Sequence, residues 1–333
     1  MKTSFLVIVI VLFFSACRKN ELDKIEGPSL KDQYGKFQVI NEFKASKDSV
    51  DFYNGQSVYF EAEFSKTVNW TLSITGMTSG AKKVFQGTGK IVDNSSTTWN
   101  GSTTQFPVFK TENCKAVLKF DSEPDTFVVY VKALSKKNNT GFLIADFETP
   151  FKSGWSSFIQ SGANMDFQIK SDNTAAEGNA HYNMAGTVNW DWLIGLVNFK
   201  ASAYGAPVFP LNANPGSNYF NVLIWGEPGL TNSLVLFQFQ EDDNLNGSFS
   251  SQTEDMYSLQ VNINWEGWKL ITVRYSDLTC LVNGAPATPS GNRQLEPNKL
   301  MQINMLHLAN PSSGYAKTKL DYMIITQNAP LEP

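Results

Sequence analysis

Between Asn218 and Leu278 apolar and polar residues alternate in short runs. In Tyr219–Trp225 (YFNVLIW) one side carries Phe220, Val222 and Ile224, and the other Tyr219, Asn221, Leu223 and Trp225. The turn sequence GEPGLTN leads to Leu234–Gln240 (LVLFQFQ), and EDDNLNG follows as a second turn. Trp268–Leu278 (WKLITVRYSDL) closes the unit, with Ile271, Val273 and Tyr275 as its core row. Period-two alternation punctuated by Gly, Pro and Asn predicts half-buried antiparallel strands, with Leu234–Gln240 pairing back on Tyr219–Trp225. The first third of the chain has the same texture. It predicts strands over 37–43, 57–64 and 68–75, then in CKAVLKF and over 126–134. No helical period is sustained anywhere after the N-terminal apolar run, so the chain reads as all-β.

Two globular units follow from the punctuation. Residues 36–137, with about seven short strands and an apolar-row Trp70, suit an immunoglobulin-like β-sandwich acting as a spacer. Trp99, in the polar loop DNSSTTWNGSTTQ, is the aromatic that would serve a binding role there. The boundary lies in SKKNNTG (135–141), which is short, polar and ends in Gly. Residues 142–327 form the second unit.

The N-terminus carries an address. Residues 1–16 have a positive Lys2, an apolar run Phe5–Phe14 and small residues before Cys17, the pattern of an export signal. That run is too short to span a bilayer, which takes about 20 residues. Phe14-Ser15-Ala16-Cys17 resembles a bacterial lipobox, which implies lipid attachment at Cys17 and a membrane anchor of several acyl chains. Residues 17–35 are polar, contain Gly and Pro, and read as a flexible tether. The tether resembles that of Bacteroidetes-type outer-membrane lipoproteins, in which acidic residues such as Glu21 and Asp23 here favour display at the cell surface.

Composition removes several classes of function. A net charge of −4 lacks the basic stripe a nucleic-acid partner requires. The 333 residues hold two histidines, His181 and His307, too few for a histidine-based metal site. Cys114, in a strand, and Cys280, in a late loop, read as free thiols. Nucleophile-elbow, zinc-protease, phosphate-loop and dinucleotide motifs are absent, as is a glycosidase-like carboxylate pair, so the expectation is a non-catalytic protein. Aromatic residues make up 13% of the chain, which suits stacking on the apolar faces of sugar rings.

The second unit resembles a known family. FLIADFE (142–148), the central IWGEPGLTNSLVLFQFQEDDN, GWKLITVRYSDL and the closing TKLDYMIIT (318–326) occur in the order found in the galactose-binding-like β-jelly roll of carbohydrate-binding modules. The whole layout resembles two-domain surface glycan-binding lipoproteins of Bacteroidetes. That resemblance implies a polysaccharide or oligosaccharide partner and a neighbouring outer-membrane transport system. It also implies a structural Ca2+ held by Glu148 and Asp321, with Asp146 as a further candidate and carbonyls of the 171–179 loop completing the shell. The Asp242–Gly247 loop partly imitates an EF-hand, but its twelfth position is Thr253, and an Asn/Gly turn explains it better.

Sorting the aromatics by face gives the sugar-binding candidates. Trp225 comes first, then Tyr219, Trp265 and Trp155, with Asn221, Gln238 and Arg274 as polar partners. Trp190 and Trp192 continue an apolar row and read as core, and Trp268 reads as packing. The alternative function is a protein–protein assembly or adhesion lipoprotein on the same scaffold, with an unrecognised glycoside hydrolase behind it.

Overall fold

The computed structural model describes residues 35–162, 164–188, 193–309 and 314–333. Cys17, the export signal, most of the tether, Trp190 and Trp192 lie outside the described residues.

The first unit is one six-stranded sheet system. Its strands are β1 (Val39–Ala45), β2 (Ser49–Asp51), β3 (Phe60–Gly76), β4 (Lys82–Val92), β5 (Glu112–Phe120) and β6 (Thr126–Ser135), in the order β1-β3-β5-β6-β2 with β4 also paired to β3. The two strands expected over 57–64 and 68–75 are one 17-residue strand. Phe60, Ala62, Phe64, Val68, Trp70, Leu72 and Ile74 share one parity, and all are buried. The buried parity is therefore the same on both sides of Ser65–Thr67, where Lys66 turns outward and the pairing with β4 shifts register. β4 pairs with β3 where Gly87 lies flat against Trp70; a Cβ at Gly87 would fall 2.3 Å from that ring. Trp99 is fully buried rather than offered to solvent. Its ring meets Phe52 and Phe109, each at 4.7 Å between centroids, and its Nε1 donates to the Ser102 carbonyl at 2.9 Å.

The second unit is a sandwich of two antiparallel sheets. The first, the junction sheet, runs β15-β12-β19-β10-β9 with β7 on β19. These are β7 (Phe142–Ala145), β9 (Asp166–Ser171), β10 (Ala180–Val188), β12 (Asn218–Gly226), β15 (Gly267–Arg274) and β19 (Gly314–Gln327). The second, the free sheet, runs β14-β13-β18-β11-β8. These are β8 (Ser156–Ile159), β11 (Leu193–Lys200), β13 (Ser233–Glu241), β14 (Met256–Ile263) and β18 (Leu300–Ala309), and β16 (Leu281–Val282) pairs with β17 (Ala285–Pro286) in a small separate ladder.

The expected hairpin between Tyr219–Trp225 and Leu234–Gln240 does not form. β12 pairs with β15 and β19, whereas β13 pairs with β14 and β18, so GEPGLTN carries the chain from one sheet to the other. The apolar rows Phe220, Val222, Ile224 and Val235, Phe237, Phe239 face each other across the sandwich instead of lying side by side. Phe220 of β12 meets Phe237 and Phe239 of β13 at 5.0 and 5.1 Å. Burying both apolar rows in one core is worth more than a single extra ladder, and a seven-residue turn permits either route. β15 ends at Arg274; Tyr275–Asp277 form a 3₁₀ turn that sends the buried Tyr275 into the core.

His181 of β10 and His307 of β18 are both fully buried, and burial lowers each imidazole from 6.5 to about 4. The unfolded chain therefore takes up protons that the folded chain refuses as pH drops below 6.5. We expect stability from these groups to be complete above that pH and to fall towards pH 4 by on the order of 1 kcal/mol per pH unit per histidine. Urea unfolding at pH 7.5, 5.5 and 4.5 measures the slope, and His307→Leu should flatten it.

Candidate functional site

The residues singled out in the sequence do not converge on one site. Trp225 and Tyr219 lie on the outer face of the junction sheet, at opposite ends of β12 and about 20 Å apart along the strand. Trp225 is half-buried. Its ring takes the edge of Trp268 at 5.6 Å and the Lys319 ammonium at 5.0 Å, and its Nε1 donates to Glu227 at 3.0 Å. Arg274 lies over the Tyr219 ring at 5.2 Å, and its Nε donates to the Tyr219 hydroxyl at 3.1 Å.

Asn221, expected as a polar partner for a sugar, lies between them fully buried, with both of its amide atoms bonded within the protein. Its amide nitrogen donates to the carbonyls of Tyr219 (2.8 Å) and Ile324 (3.3 Å) and to the Thr326 hydroxyl (3.0 Å). Its oxygen accepts from the Thr272 hydroxyl at 2.9 Å and the Leu331 amide at 3.0 Å. Trp265 packs against the main core under Lys269, whose ammonium is 4.8 Å from the ring. Trp155 packs edge-on against Phe199 at 4.9 Å and lines a cavity of about 360 Å³ beside Tyr204 and Asp146.

The middle of the junction sheet's outer face is covered. Leu223, Tyr322 and Ile324 are buried with Ala176 and Leu331, and Phe106 of the first unit packs on them. The Val108 amide donates to the Ala176 carbonyl at 2.8 Å, and Lys136 pairs with Glu177 at 2.5 Å. Asn139 donates to the Tyr322 hydroxyl at 3.3 Å. The first unit, the segment between the units and the C-terminal tail therefore occupy this face.

The expected calcium ligands fall at this junction. Asp321 is fully buried; its Oδ2 accepts the amides of Ala176 and Glu177, both at 2.8 Å, while its Oδ1 has no partner. Glu148 accepts the amides of Asn179 (2.6 Å) and Ala180 (2.7 Å), and Asp146 accepts the amide of Glu148 at 3.2 Å. Three amides of the 171–179 loop, those of Ala176, Glu177 and Asn179, thus point at these carboxylates. Lys136 brings a positive charge to Glu177, whose Oε2 is also buried without a donor. Glu148, Asp321 and Asp146 do not gather as one ligand set among the described residues.

The free sheet's outer face is different. Cross-strand register sets Gln240 beside Gln302 and Lys200, and Gln238 beside Asn304, Asn198 and Ser156. The next row is Leu236, Leu306, Leu196 and Phe158, the last 50% exposed on edge strand β8. On the other flank Ser258 and Gln260 of β14 continue the two rows. Gln302 Nε2 donates to Gln240 at 3.2 Å and to Asn304, and Asn198 donates to Ser156 at 3.1 Å. Gln238 makes no side-chain hydrogen bond to protein among the described residues. Beyond the aliphatic row, Leu281 leans over Leu234, Leu236 and Leu308, closing that end of the face and leaving the amide end open. A cleft of about 520 Å³ lined by Phe147, Phe151, Phe167 and Tyr182 opens beside β8, where the edge strands of the two sheets come together.

Side-chain amides both donate and accept, as sugar hydroxyls do, so a two-dimensional amide array beside an exposed aromatic can read a chain of hydroxyls without any charge. Of the residues expected to bind, Gln238 alone sits here. The other amides escaped the sequence reading because Asn198, Gln302 and Asn304 come from strands that become its neighbours only through non-local pairing. The available signal was the shared parity of Gln302 and Asn304.

No family model and no curated protein sequence matches the chain. Among solved structures, it is similar to the family 11 carbohydrate-binding module of a cellulosomal cellulase of Clostridium thermocellum, at 15% identity, covering 59% of this chain and 98% of that one with a TM-score of 0.39. It is similar to the xylan-binding module CBM22-1 of a Paenibacillus barcinonensis protein, at 12% identity, covering 58% and 99% with a TM-score of 0.32. It is also similar to SGBP-B, from a complex xyloglucan utilization locus in Bacteroides uniformis, at 9% identity, covering 87% and 73% with a TM-score of 0.31.

Removing the Asp321 carboxylate strands two buried amides. We expect Asp321→Ala to cost about 2–5 kcal/mol in urea unfolding, while Arg274→Ala, at an exposed position, stays within about 0.5 kcal/mol of the parent.

Proposed function

We propose that the chain is a membrane-anchored, non-catalytic glycan-binding lipoprotein whose sugar-contact surface is the amide-rich outer face of the free sheet. The observation that carries this reading is the row Gln238–Asn304–Asn198 beside Gln240–Gln302, flanked by Phe158 and the aliphatic carbons of Leu196 and Leu306. Neutral donors and acceptors on a preformed sheet suit hydroxyl-rich polymers. A flat strip of strands suits an extended chain more than a single buried sugar. The neighbouring aromatic cleft at β8 is placed to take one end of such a chain.

The export signal and Cys17 lipobox pattern support attachment at the outer membrane, with display at the cell surface and hand-over of captured polysaccharide to a transport partner. Among the described residues no helix is long and apolar enough to cross a membrane. Affinity for one copy is modest on this account, and many anchored copies raise it by avidity.

Affinity electrophoresis of the secreted chain against soluble polysaccharides tests the reading. We expect retardation by at least one polymer. Gln238→Ala and Gln302→Ala should each weaken it about tenfold, the loss of roughly one or two hydrogen bonds, without lowering the melting temperature. Trp225→Ala should leave the retardation unchanged. Cys17→Ser should move the full-length protein from the membrane to the soluble fraction. No retardation by any polymer, from folded protein, contradicts the glycan reading and favours contact with another protein.

A further inference from the structure

The acidic residues around the end of β13 divide by what they hold. Asp242 caps the following turn, accepting the amides of Asn246 at 3.0 Å and Gly247 at 2.8 Å. Asp255 pins the loop that precedes β18, accepting the amides of Gly291 at 2.7 Å and Arg293 at 2.6 Å. Their work is structural and complete.

Glu241 and Asp243 are different. Glu241 is fully buried; its Oε1 accepts the Tyr275 hydroxyl at 2.7 Å and the Glu296 amide at 2.9 Å, while its Oε2 is buried with no partner. Asp243 accepts the Asp255 amide on Oδ2 at 3.0 Å, and its Oδ1 is likewise buried with no partner. Glu296, from the loop, joins them. One oxygen from each of Glu241, Asp243 and Glu296 lies within 4.8 Å of the others. Oxygens about 2.4 Å from a shared ion are at most about 4.8 Å apart, so the spacing is that of a coordination shell.

From this geometry we infer that Glu241, Asp243 and Glu296 form a site for one hard divalent cation, with calcium as its occupant. All three donors are carboxylate oxygens, with no thiolate or imidazole among them, which selects a hard ion. They come from a strand end, a turn and a separate loop, an irregular set that calcium tolerates and magnesium, which requires near-octahedral geometry, does not. Backbone carbonyls and water complete the shell.

Lys299 is the cation already present. Its ammonium binds Glu296 at 2.8 Å and leaves the buried oxygens of Glu241 and Asp243 without a donor. The ion would tie β13, one residue past Gln240, to the loop that enters β18. It would thereby fix the polar end of the free sheet. This inference stands on its own geometry and does not depend on the glycan reading.

Calorimetric titration of chelator-stripped full chain with calcium chloride tests it, alongside melting curves in calcium, magnesium and EDTA. We expect calcium binding, a melting temperature raised by calcium more than by magnesium, and binding weakened about tenfold or more by Asp243→Asn and by Glu296→Gln. The second substitution is at a half-exposed loop position and guards against a variant that simply fails to fold. Glu177→Gln, at the junction between the two units, should leave calcium binding intact. No binding at millimolar calcium overturns the assignment. So does binding lost in Glu177→Gln but kept in Asp243→Asn and Glu296→Gln, which would place the ion at the junction.

Discussion

The burial of one sheet face at the junction between the two units governs what the rest of the protein can do. Leu223, Tyr322 and Ile324 would form an apolar strip on the outside of the junction sheet. Phe106, Ala176 and Leu331 cover it, and the Lys136–Glu177 pair and the Val108–Ala176 hydrogen bond hold the cover in place. A sandwich has two outer faces, and here protein covers the middle of one and leaves the amide rows of the other open. The same contact seats the first unit against the junction sheet and not against the free sheet.

Beneath that arrangement lies the crossing of the chain between sheets. GEPGLTN sends β13 into the sheet opposite β12, so Phe220 packs against Phe237 and Phe239 across the core. With the core rows facing each other, the remaining parities are fixed. Asn221 and Leu223 turn into the junction, and Gln238 and Gln240 turn outward on the free sheet. The chemistry of each face follows from which sheet its strand joined, more than from the local composition of the strand.

Much of this was legible in the residues. The all-β class, the core parities of Phe220, Val222 and Ile224 and of Ile271, Val273 and Tyr275, and the outward placement of Gln238 all follow from period-two alternation. Partner choice did not follow, because a turn rich in Gly and Pro ends a strand without saying whether the next one pairs with it or crosses the core. Alternation therefore marks Trp225 as lying on a face opposite an obvious core row, but it does not show that Asn198, Gln302 and Asn304 become neighbours of Gln238 and Gln240. Asn221 looked free for the same reason; nothing local announces that Leu331, 110 residues later, donates its amide to it. Trp99 shows the converse limit, since a polar loop can fold a tryptophan fully into the core when Phe52 and Phe109 wait for it.

The most direct test of the central claim is hydrogen–deuterium exchange of the full chain with and without a polysaccharide that retards it. The account predicts slower exchange in peptides covering Asn198–Lys200, Gln238–Glu241 and Leu300–Asn304, with peptides covering Tyr219–Trp225 and Trp265–Trp268 unchanged. Protection confined to the latter peptides would place the sugar on the junction sheet and contradict the account.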